Sequence, residues 1–143
     1  MPRRLVSDLM ASQVQSLPGS ASVQEAARLM SERRIGAVLV VEAGRLEGIF
    51  TERDVICRVM AAGLNSETTP LREVMTPDPQ TAIPPMKAVA ALLKMRDGGF
   101  RHLPVVEDGE IKGIISMRDF IGAEFHEVDD QLEFAELLEA DLQ

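Results

Sequence analysis

Two heptapeptides carry the chemistry on offer in this sequence. Gly48-Ile49-Phe50-Thr51-Glu52-Arg53-Asp54 and Gly113-Ile114-Ile115-Ser116-Met117-Arg118-Asp119 share one pattern: glycine, two apolar residues, a hydroxyl residue, any residue, arginine, aspartate. A hydroxyl residue followed three positions later by an acid is a helix-capping arrangement, which a strand-to-helix junction needs in any case. The same residues also suit a ligand. Glycine inside a strand costs stability and marks a place where another group approaches the backbone. The helix N-terminus beyond it presents unpaired N–H groups and the positive end of a dipole, both favourable to an anion. A carboxylate in the first helical turn can accept both hydroxyls of a ribose, as acidic residues do in dinucleotide sites. Capping and binding are compatible readings.

The elements that position these motifs are themselves duplicated. An offset of 65 residues, without a gap, superposes Met10 on Met75, Gln15 on Gln80, Ala26 on Ala91 and Met30 on Met95. It also superposes Val40-Val41-Glu42 on Val105-Val106-Glu107, and Gly44, Gly48, Ile49, Arg53 and Asp54 on their counterparts. So many identities at one offset mark an internal repeat. In the first copy Ser22-Val23-Gln24-Glu25 opens a helix with a capping box. Val23, Ala26, Ala27 and Met30 then form one apolar stripe, matched by Ala88, Ala91, Leu92 and Met95. The apolar runs Ala37–Val41 and Leu103–Val106 read as buried strands. The Gly-bearing turns Glu42–Arg45 and Glu107–Glu110 lead into second hairpin strands at Leu46–Phe50 and Ile111–Ile115. A helix begins at Thr51, with Ser116 as its counterpart. In the first copy it carries Val55, Ile56, Val59 and Met60, and it is expected to pack Cys57 among them. Each copy is thus α/β, of βαββα order. The link is short and polar, and one unit of roughly 60 residues buries too little to be comfortable alone, so the copies are expected to share one core about a pseudo-two-fold axis.

Composition narrows the function. Hydrophobic residues make up 45% and charged residues 27%, an ordinary globular balance. The aliphatic runs are too short for a membrane span, and no long apolar segment follows the basic Met1-Pro2-Arg3-Arg4, so neither membrane insertion nor a secretory signal is expected. A single cysteine excludes an intrachain disulfide and fits the cytoplasm. The net charge of −8 belongs to the tail, because Glu124–Gln143 holds eight acids and no Lys or Arg. With no Trp, no Tyr and no Lys/Arg run, a nucleic-acid partner is not expected. No Ser–His–Asp or Cys–His motif and no metal-ligand spacing is present, so neither catalysis nor a metal site is expected.

The segments IGAVLVVEAGRLEGIFTERDV and FRHLPVVEDGEIKGIISMRDF resemble the cystathionine-β-synthase (CBS) domain, and the pair resembles a Bateman module. The likeness divides the chain into motif 1 at 5–62, a linker at 63–70, motif 2 at 71–122 and an acidic helix at 123–143. It implies tandem α/β repeats packed side by side, with two clefts for adenine-bearing ligands such as AMP, ADP or ATP, and in some members S-adenosylmethionine or NAD-type dinucleotides. It implies that hydroxyl-x-x-Asp meets the ribose and first phosphate while the partner motif supplies the base pocket. That pairs Thr51 and Asp54 with Pro79, Gln80 and Phe100. It pairs Ser116 and Asp119 with Val14, Gln15 and Ile35. Basic residues before a Leu-Pro-Val strand serve phosphates, and Arg101-His102-Leu103-Pro104-Val105 matches this. The first copy has Gly36-Ala37-Val38 there. The Thr51–Asp54 cleft, with Arg101 and His102, is therefore expected to be the better equipped. Arg53 and Arg118 are equally readable as phosphate contacts or as solvated surface arginines.

The resemblance implies a regulatory module that needs no cofactor, takes a nucleotide as ligand, forms a homodimer and acts on a protein partner or on its own dimer. The alternative is a ligand-free dimerisation scaffold whose motifs only cap helices. In the tail, Phe125, Val128, Leu132, Ala135, Leu138 and Leu142 recur at helical spacing, which suits packing on the domain or contact with a partner equally well.

Overall fold

The computed structural model describes residues 4–120 together with His126 and Val128. Each apolar run becomes a strand because both of its faces find cover. Strand β2 (Ala37–Glu42) pairs antiparallel with β3 (Arg45–Thr51). Val38, Val40 and Phe50 point to one side, into a core with Val23, Ala26 and Met30 of helix α2 (Val23–Arg33). Ala37, Leu39 and Ile49 point to the other, where Ile111 and Ile114 of the second copy meet them. The second hairpin, β5 (His102–Glu107) with β6 (Glu110–Ser116), packs Leu103, Val105 and Ile115 under helix α5 (Ala88–Gly98). The alternation follows from the period of two along a strand. Both hairpins turn on two residues of positive φ, Ala43-Gly44 and Asp108-Gly109, the type I′ geometry that matches strand twist. Ser22 caps α2 by accepting from the Glu25 N–H at 3.1 Å, and Gly99 ends α5 at φ 71°.

The two copies exchange their leading segments. Helix α1 (Val6–Leu9) lies in the core of the second copy: Val6 is fully buried there, and the Val6 N–H donates to the Met86 carbonyl at 2.8 Å. Ala11 then bridges antiparallel to Ile114 on β6. Reciprocally, helix α4 (Leu71–Val74) inserts Leu71 and Val74 into the core of the first copy, and β4 (Thr76–Pro77) pairs antiparallel with β3. On the opposite edge each hairpin meets its own copy, through β1 (Ser16–Leu17) parallel to β2 and through Ala82 parallel to Val105. The strand glycines of the two motifs serve this exchange. A Cβ on Gly48 would sit 2.5 Å from Met75 Sδ and 2.8 Å from the Thr76 carbonyl oxygen, and one on Gly113 would sit 2.5 Å from the Ala11 carbonyl oxygen. The group that approaches the backbone is the chain itself.

The segment after Thr51 departs from the expected helix. Helix α3 (Glu52–Asp54) runs into π-helical turns over Val55–Met60, with i→i+5 bonds such as Ala61 N–H to the Ile56 carbonyl. Val59 is buried, but Ile56 and Met60 are 62% and 73% exposed, and Cys57 is exposed rather than packed. The native protein should therefore titrate one thiol with an aromatic disulfide reagent, at a rate close to that of unfolded chain; reaction only in denaturant would contradict the exposure. After β6 the chain makes one 3-10 turn, Met117–Asp119. Of the expected acidic helix at 123–143, His126 and Val128 are helical and Val128 is buried in the second core. The rest of that helix lies outside the described residues.

Candidate functional site

In both motifs the capping reading is realised. The Thr51 N–H and hydroxyl donate to Asp54 Oδ2 at 2.9 and 3.1 Å, and the Asp54 N–H donates back to Thr51 Oγ at 3.3 Å. The Ser116 N–H and hydroxyl donate to Asp119 Oδ2 at 2.7 and 3.0 Å. Each box therefore consumes one carboxylate oxygen and leaves the other for a second task. The two aspartates differ in that task. Asp54 is only 8% exposed, and its Oδ1 lies 3.5 Å from Arg58 Nε. Among the described residues no ion pair engages Asp119, which is half-buried.

A cavity of about 260 Å³ lies against Asp119. Ser116, Arg118 and Asp119 of the second copy line it together with Val14, Gln15 and Ile35 of the first. The Leu39 N–H donates to the Gln15 carbonyl at 3.0 Å and holds that segment to β2. Arg33, Gly36, Ala37 and His102 complete the lining. His102 opens β5 opposite Ser116 in the hairpin register, so the two side chains share a face. The expectation grouped His102 with Thr51 and Asp54. Its imidazole instead lines the Ser116–Asp119 cavity, because the pairing with Ser116 sets its direction. Gly36 is crowded by this arrangement: a Cβ there would stand 2.8 Å from Glu52 Oε1 and 3.1 Å from His102 Nε2.

The other cleft residues are placed less openly. Arg53 Nη1 donates to the Gly99 carbonyl at 3.2 Å, tying the first motif to the end of α5. Phe100 folds back against Gly98, where an added Cβ would overlap its ring, and packs on the second core. Pro79 lines a shallow hollow with Arg45, Leu46, Asp78 and Thr81, while Gln80 and Arg101 are exposed. Arg33 escaped the sequence reading. Its counterpart in the second copy is Gly98, so the repeat drew no attention to it. Its position two residues before Ile35 was the available signal.

Charge in the cavity is mixed, with Arg33 and Arg118 set against Asp119. Burial holds the His102 imidazole below the usual histidine value; Arg118 and Arg101 act in the same direction, and the carboxylates of Glu52 and Asp119 act against it. Among the described residues no group of three or more His, Cys, Asp or Glu could hold a metal ion, and no helix is long and apolar enough to cross a membrane.

Two hairpin-and-helix units, related by a 65-residue offset and packed together through their strands, define the class. The chain belongs to the CBS domain family, which it matches twice, over residues 6–61 and 71–126. It is 39% identical over 115 residues to the CBS domain-containing protein CBSCBSPB1 of Arabidopsis thaliana, covering 80% of this chain and 21% of the relative. The chain thus spans about a fifth of the length of such relatives. It is 36% identical over 114 residues to the CBS domain-containing protein YhcV of Bacillus subtilis, covering 80% of this chain and 81% of that protein. Among solved structures it resembles the CBS domain protein PAE2072 of Pyrobaculum aerophilum complexed with AMP, with a TM-score of 0.79 and 28% identity over 89% of this chain and 99% of the other.

Proposed function

We propose that this chain is a regulatory module that binds an adenine nucleotide in the cleft between Ser116–Asp119 and the Val14, Gln15, Ile35 wall. The observation that carries this reading is the cavity itself: a half-buried carboxylate that gives one oxygen to its cap, set in one cavity with Val14, Gln15 and Ile35 of the other copy and with two arginines. Asp119 accepts the ribose hydroxyls, Val14 and Ile35 cover the base, and Arg33 and Arg118 meet the phosphate. A volume of about 260 Å³ lies just below the usual span of ligand sites, roughly 300 to 1,000 Å³, and so favours a mononucleotide over a dinucleotide. The AMP complex of the similar archaeal protein supports the same class of ligand. In this reading the protein works by binding and not by catalysis, in the reducing cytoplasm, and its output leaves through a homodimer or a protein partner. The exposed Ile56 and Met60 are available to such a contact. A ligand shifts conformations only through unequal affinity for them.

The capping bonds favour one alternative, a scaffold that binds no ligand. The two part in a thermal-shift measurement with AMP, ADP, ATP, NAD and S-adenosylmethionine. A ligand at 100 times its Kd stabilises by about 2.7 kcal/mol, which for a domain of this size raises Tm by roughly 6–10 °C. We expect AMP or ADP to give the largest rise. No rise with any of the five would establish the scaffold reading.

A further inference from the structure

We propose that Met10 is a modification site, at which oxidation of the thioether by a hydroperoxide weakens ligand binding in the Ser116–Asp119 cleft. The proposal rests on the nucleotide reading of that cleft and adds an input which that reading does not contain.

The repeat sets two methionines in one unusual place. Met10 and Met75 are counterparts at the 65-residue offset, and each follows the short helix that its copy lends to the other. Each lays its sulfur on the strand glycine of the other copy. A Cβ on Gly113 would stand 3.1 Å from Met10 Sδ, and one on Gly48 would stand 2.5 Å from Met75 Sδ. Both side chains are partly exposed, and both pack against a core, Met10 on the second and Met75 on the first. A peroxide can therefore reach either sulfur, and the product disturbs what that sulfur touches. Met30 and Met95 lack the access, at 6% and 0% exposure, and Met60, at 73%, lacks the packing. Of the two glycine-seated methionines, Met10 is the one beside the cavity. The next residue, Ala11, lines that cavity, and so does Ile114, which follows Gly113. Ala11 and Ile114 bond each other's backbone there, at 2.9 and 3.0 Å.

The chemistry is a two-electron oxygen transfer. The sulfur gives an electron pair to one oxygen of hydrogen peroxide, the O–O bond breaks, and the other oxygen leaves as water with both protons. An apolar, flexible thioether becomes a polar, chiral sulfoxide. Its pyramidal sulfur no longer lies against Gly113 and the core, so the Ala11–Ile114 pair shifts and the cavity lining shifts with it. Methionine sulfoxide reductases reverse the step, which makes the effect reversible. The same event at Met75 loosens α4 in the first core and leaves the cavity lining in place.

The test treats the full chain with hydrogen peroxide in a Cys57→Ser background, which removes the exposed thiol. Met10→Leu and Met75→Leu are made in the same background. Peptide mass spectrometry locates the sulfoxides, and calorimetry with AMP reads the cleft. Met60 should oxidise first and without effect. As Met10 converts, AMP affinity should fall about tenfold, the scale of coupling between residues in contact. Oxidised Met75→Leu should lose as much, oxidised Met10→Leu should keep its affinity, and sulfoxide reductase should restore the parent. Hydrogen exchange at the Ala11 and Ile114 amides should quicken in step with Met10 sulfoxide. Met86 and Met117, which also pack on the second core, are the internal controls. An equal loss in Met10→Leu would assign the effect to them and overturn the proposal. So would a Met10 that resists peroxide while they convert, or an oxidised Met10 with unchanged AMP affinity; each leaves the nucleotide site standing. Absence of AMP binding before any peroxide is added would overturn the site, and the proposal with it.

Discussion

Asp119→Ala should weaken AMP binding by a hundredfold or more, whereas Asp54→Ala should change it only a few-fold. The difference comes from what each carboxylate has left to offer. Hydrogen bonds to a charged acceptor contribute about 1.5–3 kcal/mol each. Two ribose hydroxyls on Asp119 therefore represent about 3 kcal/mol or more, and every 1.4 kcal/mol is a factor of ten in Kd. Asp54 already gives one oxygen to Thr51 and the other to Arg58, in a nearly buried setting. Its removal leaves Arg58 without its carboxylate partner and the Thr51 cap undone. Loss of a cap costs about 1 kcal/mol, so Asp54→Ala should lower the urea midpoint while largely sparing the ligand. Calorimetry with AMP on both variants, after confirming that each is folded, measures the pair. Loss of binding in Asp54→Ala with retention in Asp119→Ala would move the ligand to the other cleft.

Gly113→Ala should be the most damaging small substitution for stability. Gly113 is not in a left-handed conformation, so backbone strain plays no part. The obstacle is the Ala11 carbonyl oxygen, 2.5 Å from where the new Cβ would stand. A flexible side chain could swing away; a carbonyl committed to the Ile114 N–H at 3.0 Å cannot move without breaking that bond. Overpacking of this kind costs about 1–3 kcal/mol, a Tm loss of roughly 3–10 °C. Hydrogen exchange should accelerate most at the amides of Ala11 and Ile114, which bond each other's carbonyls. Gly44→Ala, with open space around the site but φ 77°, isolates the cost of strain. If Gly113→Ala melts with wild type, the close approach is not what the glycine serves.

Much of the architecture could be read from the amino acids. Ala37–Val41 and Leu103–Val106 are apolar at every position because both faces of those strands are covered, and the turn glycines mark where each hairpin reverses. The hydroxyl-x-x-Asp pattern located both caps, since that bonding is local. What escaped was non-local. Glycine at 48 and 113 announces a close approach without saying to what, and only the folded chain shows Met75–Thr76 and Ala11 there. His102 follows Arg101 in sequence, which suggested a pair with one duty; strand alternation turns His102 into the Ser116–Asp119 cavity and leaves Arg101 exposed. The inequality of the two aspartates depends on Arg58, four residues beyond one of them. The second motif has no described counterpart for it. The exposure of Ile56 and Met60 follows from a change of helical period that the apolar pattern alone did not reveal.

The reciprocal placement of α1 and α4 says what a single copy would be. Residues 4–62 alone would lack Leu71 and Val74 from their core and Thr76 from the edge of β3, while presenting an α1 with nothing to cover it. Supplied with a second identical copy, each would complete the other about a two-fold axis, as arm-swapped subunits do. One repeat of this sequence is therefore half of an obligate dimer rather than a small domain, and the short connection between the copies is a covalent tether that fixes the effective concentration of an assembly already complete in its contacts. The tether also releases the halves from identity, and so permits an arginine at position 58 or a histidine at position 102 to appear on one side of the axis alone.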